Sequence, residues 1–204
     1  MNEKFYQLPE QKQQRIINAG YRVFSKNSYK KSPMGEIAAA AGISKSLLFY
    51  YFQNKKELYL FLWDEAAKVT MQFMKESHCY EPGDLFEMLE RGMRAKMHII
   101  RKYPDMAAFV IKAYYENTPE ISAKIQESYR SFLNEKARAV LDTLNPSDFV
   151  PGLDLDMMYR EMLLASEGYV WKVIQQGTPL DAEKFEHDFL DLIAFWKKVY
   201  LARG

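Results

Sequence analysis

Cysteine is almost missing from this 204-residue chain. Cys79 stands alone, which excludes an internal disulfide and leaves a thiolate metal cage without its ligands. Histidine occurs three times, as His78, His98 and His187 on separate segments. His78 adjoins Cys79 in a loop, but no partner stands at metal-ligand spacing, so neither a metal nor another cofactor is expected. No apolar run approaches the roughly 18 residues a membrane span needs. The longest runs, LLFYYF at residues 47–52 among them, have six. The opening MNEKFYQLPEQKQQR is polar and lacks the apolar stretch of a secretion leader, so a cytoplasmic protein is expected. There is no glycine-rich phosphate loop and no nucleophile elbow, and no carboxylates pair in a way that stands out from a solvated face; an enzyme is not expected.

Net charge is also lacking, at +1 overall, but the balance is uneven. Residues 1–60 hold ten Lys/Arg against four Asp/Glu, a balance of +6, so the remainder carries −5. A basic head on an acidic body points toward a polyanionic partner for the head.

What is present is helix. Two-residue alternation bounded by turn signals is nowhere sustained, so an all-α fold is expected. A first helix is predicted from about Pro9 to Lys26. Ser32 before Pro33 reads as an N-cap opening a short second helix, MGEIAAAAG, that stops at Gly42. Ser44 caps a third helix, from Lys45 to about Phe52. Asn54 with Glu57 three residues on opens a fourth that runs to about Glu76. Its roughly 23 residues would span about 34 Å. Longer helices follow over about 84–102, 104–116, 119–144, 154–176 and 181–203. The loop NPSDFVPGLD at 145–154 is the clearest interruption, and GTP at 177–179 separates the last two helices.

Two short helices joined at AGIS form a helix-turn-helix layout. Phe49, Tyr50, Tyr51 and Phe52 run consecutively, so they point all round the third helix. With Leu48 and Phe52 turned inward beside Ile37, Ile43, Val23 and Phe24, the residues Lys45, Ser46, Leu47, Tyr50 and part of Tyr51 face outward. Tyrosines amid lysines suit a phosphate-lined groove. Lys30 and Lys56 read as solvated surface.

The pieces IINAGYRVFSKNSY, SPMGEIAAAAGISKSLLFYYF and NKKEL, in that order over residues 16–58, resemble the DNA-binding domain of the tetracycline-repressor (TetR) family. The resemblance implies that the third helix is the recognition helix, with Lys45, Ser46, Leu47, Phe49, Tyr50 and Tyr51 at DNA-facing positions. It also implies that Lys55, opening the fourth helix, binds phosphate. Pro33 and Leu47 stand where the family often has threonine, and Gly35 offers no side chain, so base reading falls on Lys45, Tyr50 and apolar contact from Leu47.

The domains expected are a helix-turn-helix DNA-binding domain at 1–53 and a helical effector-binding and dimerisation domain at 54–204, linked by the helix at about 54–76. By the resemblance, the last two helices pair across a two-fold axis. The last carries Phe185, Phe189, Leu192, Trp196 and Val199 on one face and Leu190, Ile193, Ala194, Lys197 and Leu201 on another. The one before it offers Leu155, Met158, Met162, Ala165, Tyr169 and Val173, with Gly168 permitting close approach. Nine of the eleven methionines lie beyond residue 60, and methionine adapts to variable guests. Phe86, Met93, Met97, Phe109, Tyr114, Tyr129, Phe132, Met162 and Trp171 are the candidates for an apolar pocket taking a hydrophobic or aromatic effector. The expected function is a homodimeric, ligand-responsive repressor on a palindromic double-stranded DNA operator. The alternative is a ligand-binding helical dimer whose head does not bind DNA or binds a protein.

Overall fold

Local capping chemistry sets the helix limits. In the computed structural model, which describes residues 3–79, 81, 83–175 and 181–202, α1 spans Glu10–Lys26, α2 Met34–Ala41, α3 Lys45–Tyr51 and α4 Lys55–Glu76. Gly42 ends α2 in the left-handed region at φ 70°, which a residue with a Cβ adopts only with strain. The Ser44 side chain accepts the Leu47 N–H at 3.1 Å and starts α3. At α4, Asn54 Oδ1 accepts the Glu57 N–H at 2.9 Å while Glu57 reaches back to the Gln53 N–H at 2.7 Å. Ser32 does not play the capping role expected of it. It is buried, its hydroxyl donates to the Ser28 carbonyl at 2.9 Å, and Pro33 itself stands at the N-cap of α2.

Five more helices follow: α5 (Leu85–Lys102), α6 (Pro104–Tyr114), α7 (Pro119–Leu141), α8 (Leu155–Gln175) and α9 (Ala182–Tyr200). Among the described residues there is no strand; Phe149 and Leu201 form one isolated antiparallel bridge. That bridge fixes Leu201 beyond the end of α9, so the helix stops short of Arg203, which lies outside the described residues, as do Gln176 and 177–179. No described helix is long and apolar enough to cross a membrane.

The chain divides into two compact units. The first takes the residues up to Gln72 together with Lys102–Arg130, so α6 and the start of α7 share a unit with the helix-turn-helix. Here α1 packs on α2 and on α6, and α2 on α3. Phe24, Tyr59 and Phe109 meet with ring centroids 4.8–6.1 Å apart. Gly20 lets α4 lie close: a Cβ there would sit 2.5 Å from Leu62 Cδ1. The second unit, Phe73–Arg101 with the residues from Ser131 on, is built on Phe86, Met93, Met97, Met158, Met162, Phe185, Phe189, Ile193 and Trp196. Ile193 therefore joins the buried stripe of α9 rather than a second face, and Val199 leaves it for the surface.

Candidate nucleic-acid interface

The seven residues of α3 are split by one rotation of the helix. Leu48 is fully buried and Tyr51 nearly so, while Lys45, Ser46, Leu47, Phe49 and Tyr50 are exposed. Tyr51 departs from the expectation that it faces partly outward. A 3-10 turn at Glu3–Phe5 brings Phe5 beneath α3, and the Tyr51 ring closes over it edge-on at 6.0 Å. An aromatic wedge from outside the helix-turn-helix thus claims the side of Tyr51 that periodicity assigned to solvent.

Lys55 sits at the start of α4 with its ammonium already placed. It donates to the Lys30 carbonyl at 3.1 Å and the Ser32 carbonyl at 3.3 Å, and lies 4.8 Å from the centre of the Tyr29 ring. An ammonium has three donors, so two bonds to the turn leave one for an oxygen approaching from outside. Beside it opens a cleft of about 470 Å³ whose walls include four lysines, Lys30, Lys31, Lys45 and Lys55, with Phe49 and the bare backbone at Gly35. Lys45 also lies 6.0 Å from the Phe49 ring centre. Four cations around one concavity attract an anion strongly, and phosphate oxygens suit the lysine donors. Lys30 and Lys31 were not among the sequence candidates; the signal was the KKSP run just ahead of a helix start, which reads equally well as solvated surface.

The turn that carries these lysines is anchored from the α6–α7 junction. The Glu116 carboxylate accepts the Tyr29 N–H at 2.9 Å and the Thr118 hydroxyl at 2.8 Å. Partial burial pushes the Glu116 carboxyl up, but the hydrogen bonds from Tyr29, Thr118 and Asn117 outweigh it and hold it below its ordinary value. Tyr29 is pushed up by burial and by its bond to Glu120, so its hydroxyl stays neutral.

The effector candidates do not form one group. Phe86, Met93, Met97 and Met162 share the apolar cluster of the second unit. Phe109 is fully buried in the first, and Tyr114 and Tyr129 meet there with rings 4.6 Å apart. Phe132 is partly buried on α7, and Trp171 is half exposed on α8.

Residues 16–61, from α1 into α4, match the family model described as bacterial regulatory proteins of the tetR family. Over these residues the chain is similar to the TetR family. Its members are DNA-binding transcriptional regulators and not enzymes. The regulator is similar to the HTH-type transcriptional regulator AcrR of Shigella flexneri, at 21% identity over 203 residues, covering 95% of this chain and 92% of that one. It shares its fold with a TetR family transcriptional regulator from Chloroflexus aurantiacus, at TM-score 0.71 and 20% identity over 99% of each chain. It also shares it with the transcriptional regulator FadR from Bacillus subtilis, solved in complex with stearoyl-CoA, at TM-score 0.69 and 19% identity over 88% of this chain and 96% of that one.

Proposed function

We propose that the regulator is a homodimeric, ligand-responsive repressor that reads a palindromic operator through α3. The observation that carries this reading is the outward set Lys45, Ser46, Leu47, Phe49 and Tyr50 beside the lysine cleft at Lys55. Lys55, with Lys30 and Lys31, takes backbone phosphates and sets register, while Lys45 and Leu47 at the start of α3 reach base edges. Tyr51 serves as a support under Tyr50. The functional boundary stays near residue 53, with the reading surface ahead of it. A DNA partner puts the protein in the cytoplasm.

Dimerisation is assigned to α8 and α9. Met157, Leu164 and Trp171 recur every seven residues along α8 and are exposed, as are Phe195 and Val199 on α9. Exposed large apolar side chains in such a stripe suit a coiled-coil-like partner surface, and a second copy supplies the same stripe. Trp171 belongs to this face rather than to a pocket.

The effector is apolar and is held by the methionine-rich cluster of the second unit, around Phe86, Met93, Met97 and Met162, with Phe132 on the same unit's α7 segment. Methionines repack around a long or irregular guest, and the stearoyl-CoA of the Bacillus subtilis FadR complex makes a fatty acyl thioester the first effector to test. An effector shifts DNA binding only by preferring one of two states of the dimer.

The test is fluorescence anisotropy on the DNA upstream of its own gene against scrambled duplex across a salt series. A specific regulator binds the upstream DNA tightly, with affinity falling steeply with salt, and loses it in Lys55→Ala and Tyr50→Ala dimers. Equal affinity of both variants and wild type would remove the assignment of this face.

A further inference from the structure

The segment ahead of α1 is built onto the reading helix. Phe5 is fully buried, with edge-on ring contacts to Phe52 at 5.1 Å, Phe61 at 5.3 Å and Tyr51 at 6.0 Å. The backbone around it is closed by the Tyr6 N–H to the Glu3 carbonyl at 3.0 Å and the Leu8 N–H to the Phe5 carbonyl at 3.2 Å. From α1, the Gln13 amide donates to the Leu8 carbonyl at 2.8 Å and the Tyr6 carbonyl at 3.2 Å. Such a wedge fixes the position of the residue next to it. That residue is Lys4, which is exposed, with its ammonium 5.5 Å from the centre of the Tyr50 ring. Its hydrogen bond with Tyr50 holds its pKa above the ordinary lysine value, so it is fully charged at neutral pH.

Tyr50 is the most exposed aromatic residue of α3, and neither it nor Lys4 belongs to the walls of the lysine cleft. A solvated lysine wanders over many rotamers; one set beside a buried phenylalanine and held to an outward tyrosine loses less freedom when it meets an anion. An ammonium donates, and a tyrosine hydroxyl both donates and accepts, which together suit the two outer oxygens of a phosphodiester.

We propose that Lys4, positioned by Phe5 and paired with Tyr50, forms a second grip on a DNA backbone phosphate, separate from the one at Lys55. This rests on the reading of α3 as the DNA-facing helix. The grip orients α3 in the groove and carries no base preference of its own.

The experiment is a salt series of anisotropy titrations with wild type, Lys4→Ala, Lys4→Arg and Lys55→Ala. Each is run on an operator selected from random duplexes and on a scrambled duplex. Lys4→Ala is expected to weaken binding to both duplexes by a similar factor. It should also flatten log Kobs against log salt by about 0.9 per half-site, the share of one phosphate. Lys4→Arg should restore the slope, since charge is what the contact needs. A Lys4→Ala protein that matches wild type in affinity and slope, while Lys55→Ala does not, would overturn this inference and leave the DNA reading standing. A wild type that selects no duplex would sink both.

Discussion

The Glu116 carboxylate accepts the backbone N–H of Tyr29 at 2.9 Å, joining positions 87 apart in the chain. The same carboxylate takes the Thr118 N–H at 3.2 Å and its hydroxyl at 2.8 Å, and the Thr118 residue is buried. Tyr29 in turn lies beneath the Lys55 ammonium and edge-on to Tyr59 at 5.1 Å. One acidic side chain at the α6–α7 junction therefore holds the turn that bears Lys30 and Lys31.

Acid should loosen this turn. The folded Glu116 pKa lies below its ordinary 4.5, so its contribution to stability is complete above pH 4.5 and is lost as pH falls through the folded value. Urea melts at pH 6 and pH 3.5 should show Glu116→Gln about 1 kcal/mol less stable than wild type at the higher pH, because bonds to an ionised acceptor are the stronger kind. The gap should narrow at the lower pH. A gap that stays constant with pH would show that the ionised carboxylate contributes nothing particular.

Gly20→Ala sets helix propensity against packing. Alanine gains about 1 kcal/mol in a helix interior, yet its Cβ would meet Leu62 Cδ1 at 2.5 Å. Leu62 is fully buried, and the Tyr21 hydroxyl pins its carbonyl at 3.0 Å, so the leucine has little room to turn aside. Overpacking costs roughly 1–3 kcal/mol. A net loss in thermal stability is expected, and a variant more stable than wild type would show that Leu62 yields freely.

Phe109 tests whether a sequence candidate for the effector site is core instead. It is fully buried against Tyr21, Phe24 and Tyr59. Truncation to alanine should cost about 3–5 kcal/mol, close to the whole stability of many domains, so Phe109→Leu is the cleaner probe. The leucine variant should melt earlier with effector affinity unchanged. An altered effector affinity at unchanged stability would return Phe109 to the pocket.

A charge in the exposed stripe of α8 and α9 should separate the protomers. Leu164 and Phe195 are about three-fifths exposed in the single chain, so Leu164→Asp and Phe195→Asp leave the fold of each protomer intact. Sedimentation should show the dimer weakened, its dissociation constant raised by roughly 30-fold or more, if either is a hot spot of the interface. Dimers of undiminished strength in both variants would place the interface elsewhere.

What the sequence determined by itself is the local chemistry and its order. Gly42 as a left-handed stop, Ser44 as a cap and Asn54 with Glu57 as a box act within three or four residues, so neighbours in sequence are enough to specify them. The helix-turn-helix and its outward set followed from these limits and from helical periodicity. Periodicity also names which residues share a face, but not what that face meets. Tertiary packing alone decided that Phe5 turns Tyr51 inward, that Phe109 joins Phe24 and Tyr59, and that Trp171 faces outward while Met162 does not. It alone gathered Lys30 and Lys31 to Lys45 and Lys55, because a shared cleft depends on the turn before α2, α3 and the start of α4 coming to one place. The Ser32 hydroxyl shows the same division in miniature: its residue type suited a cap, and burial in the turn gave it the Ser28 carbonyl instead.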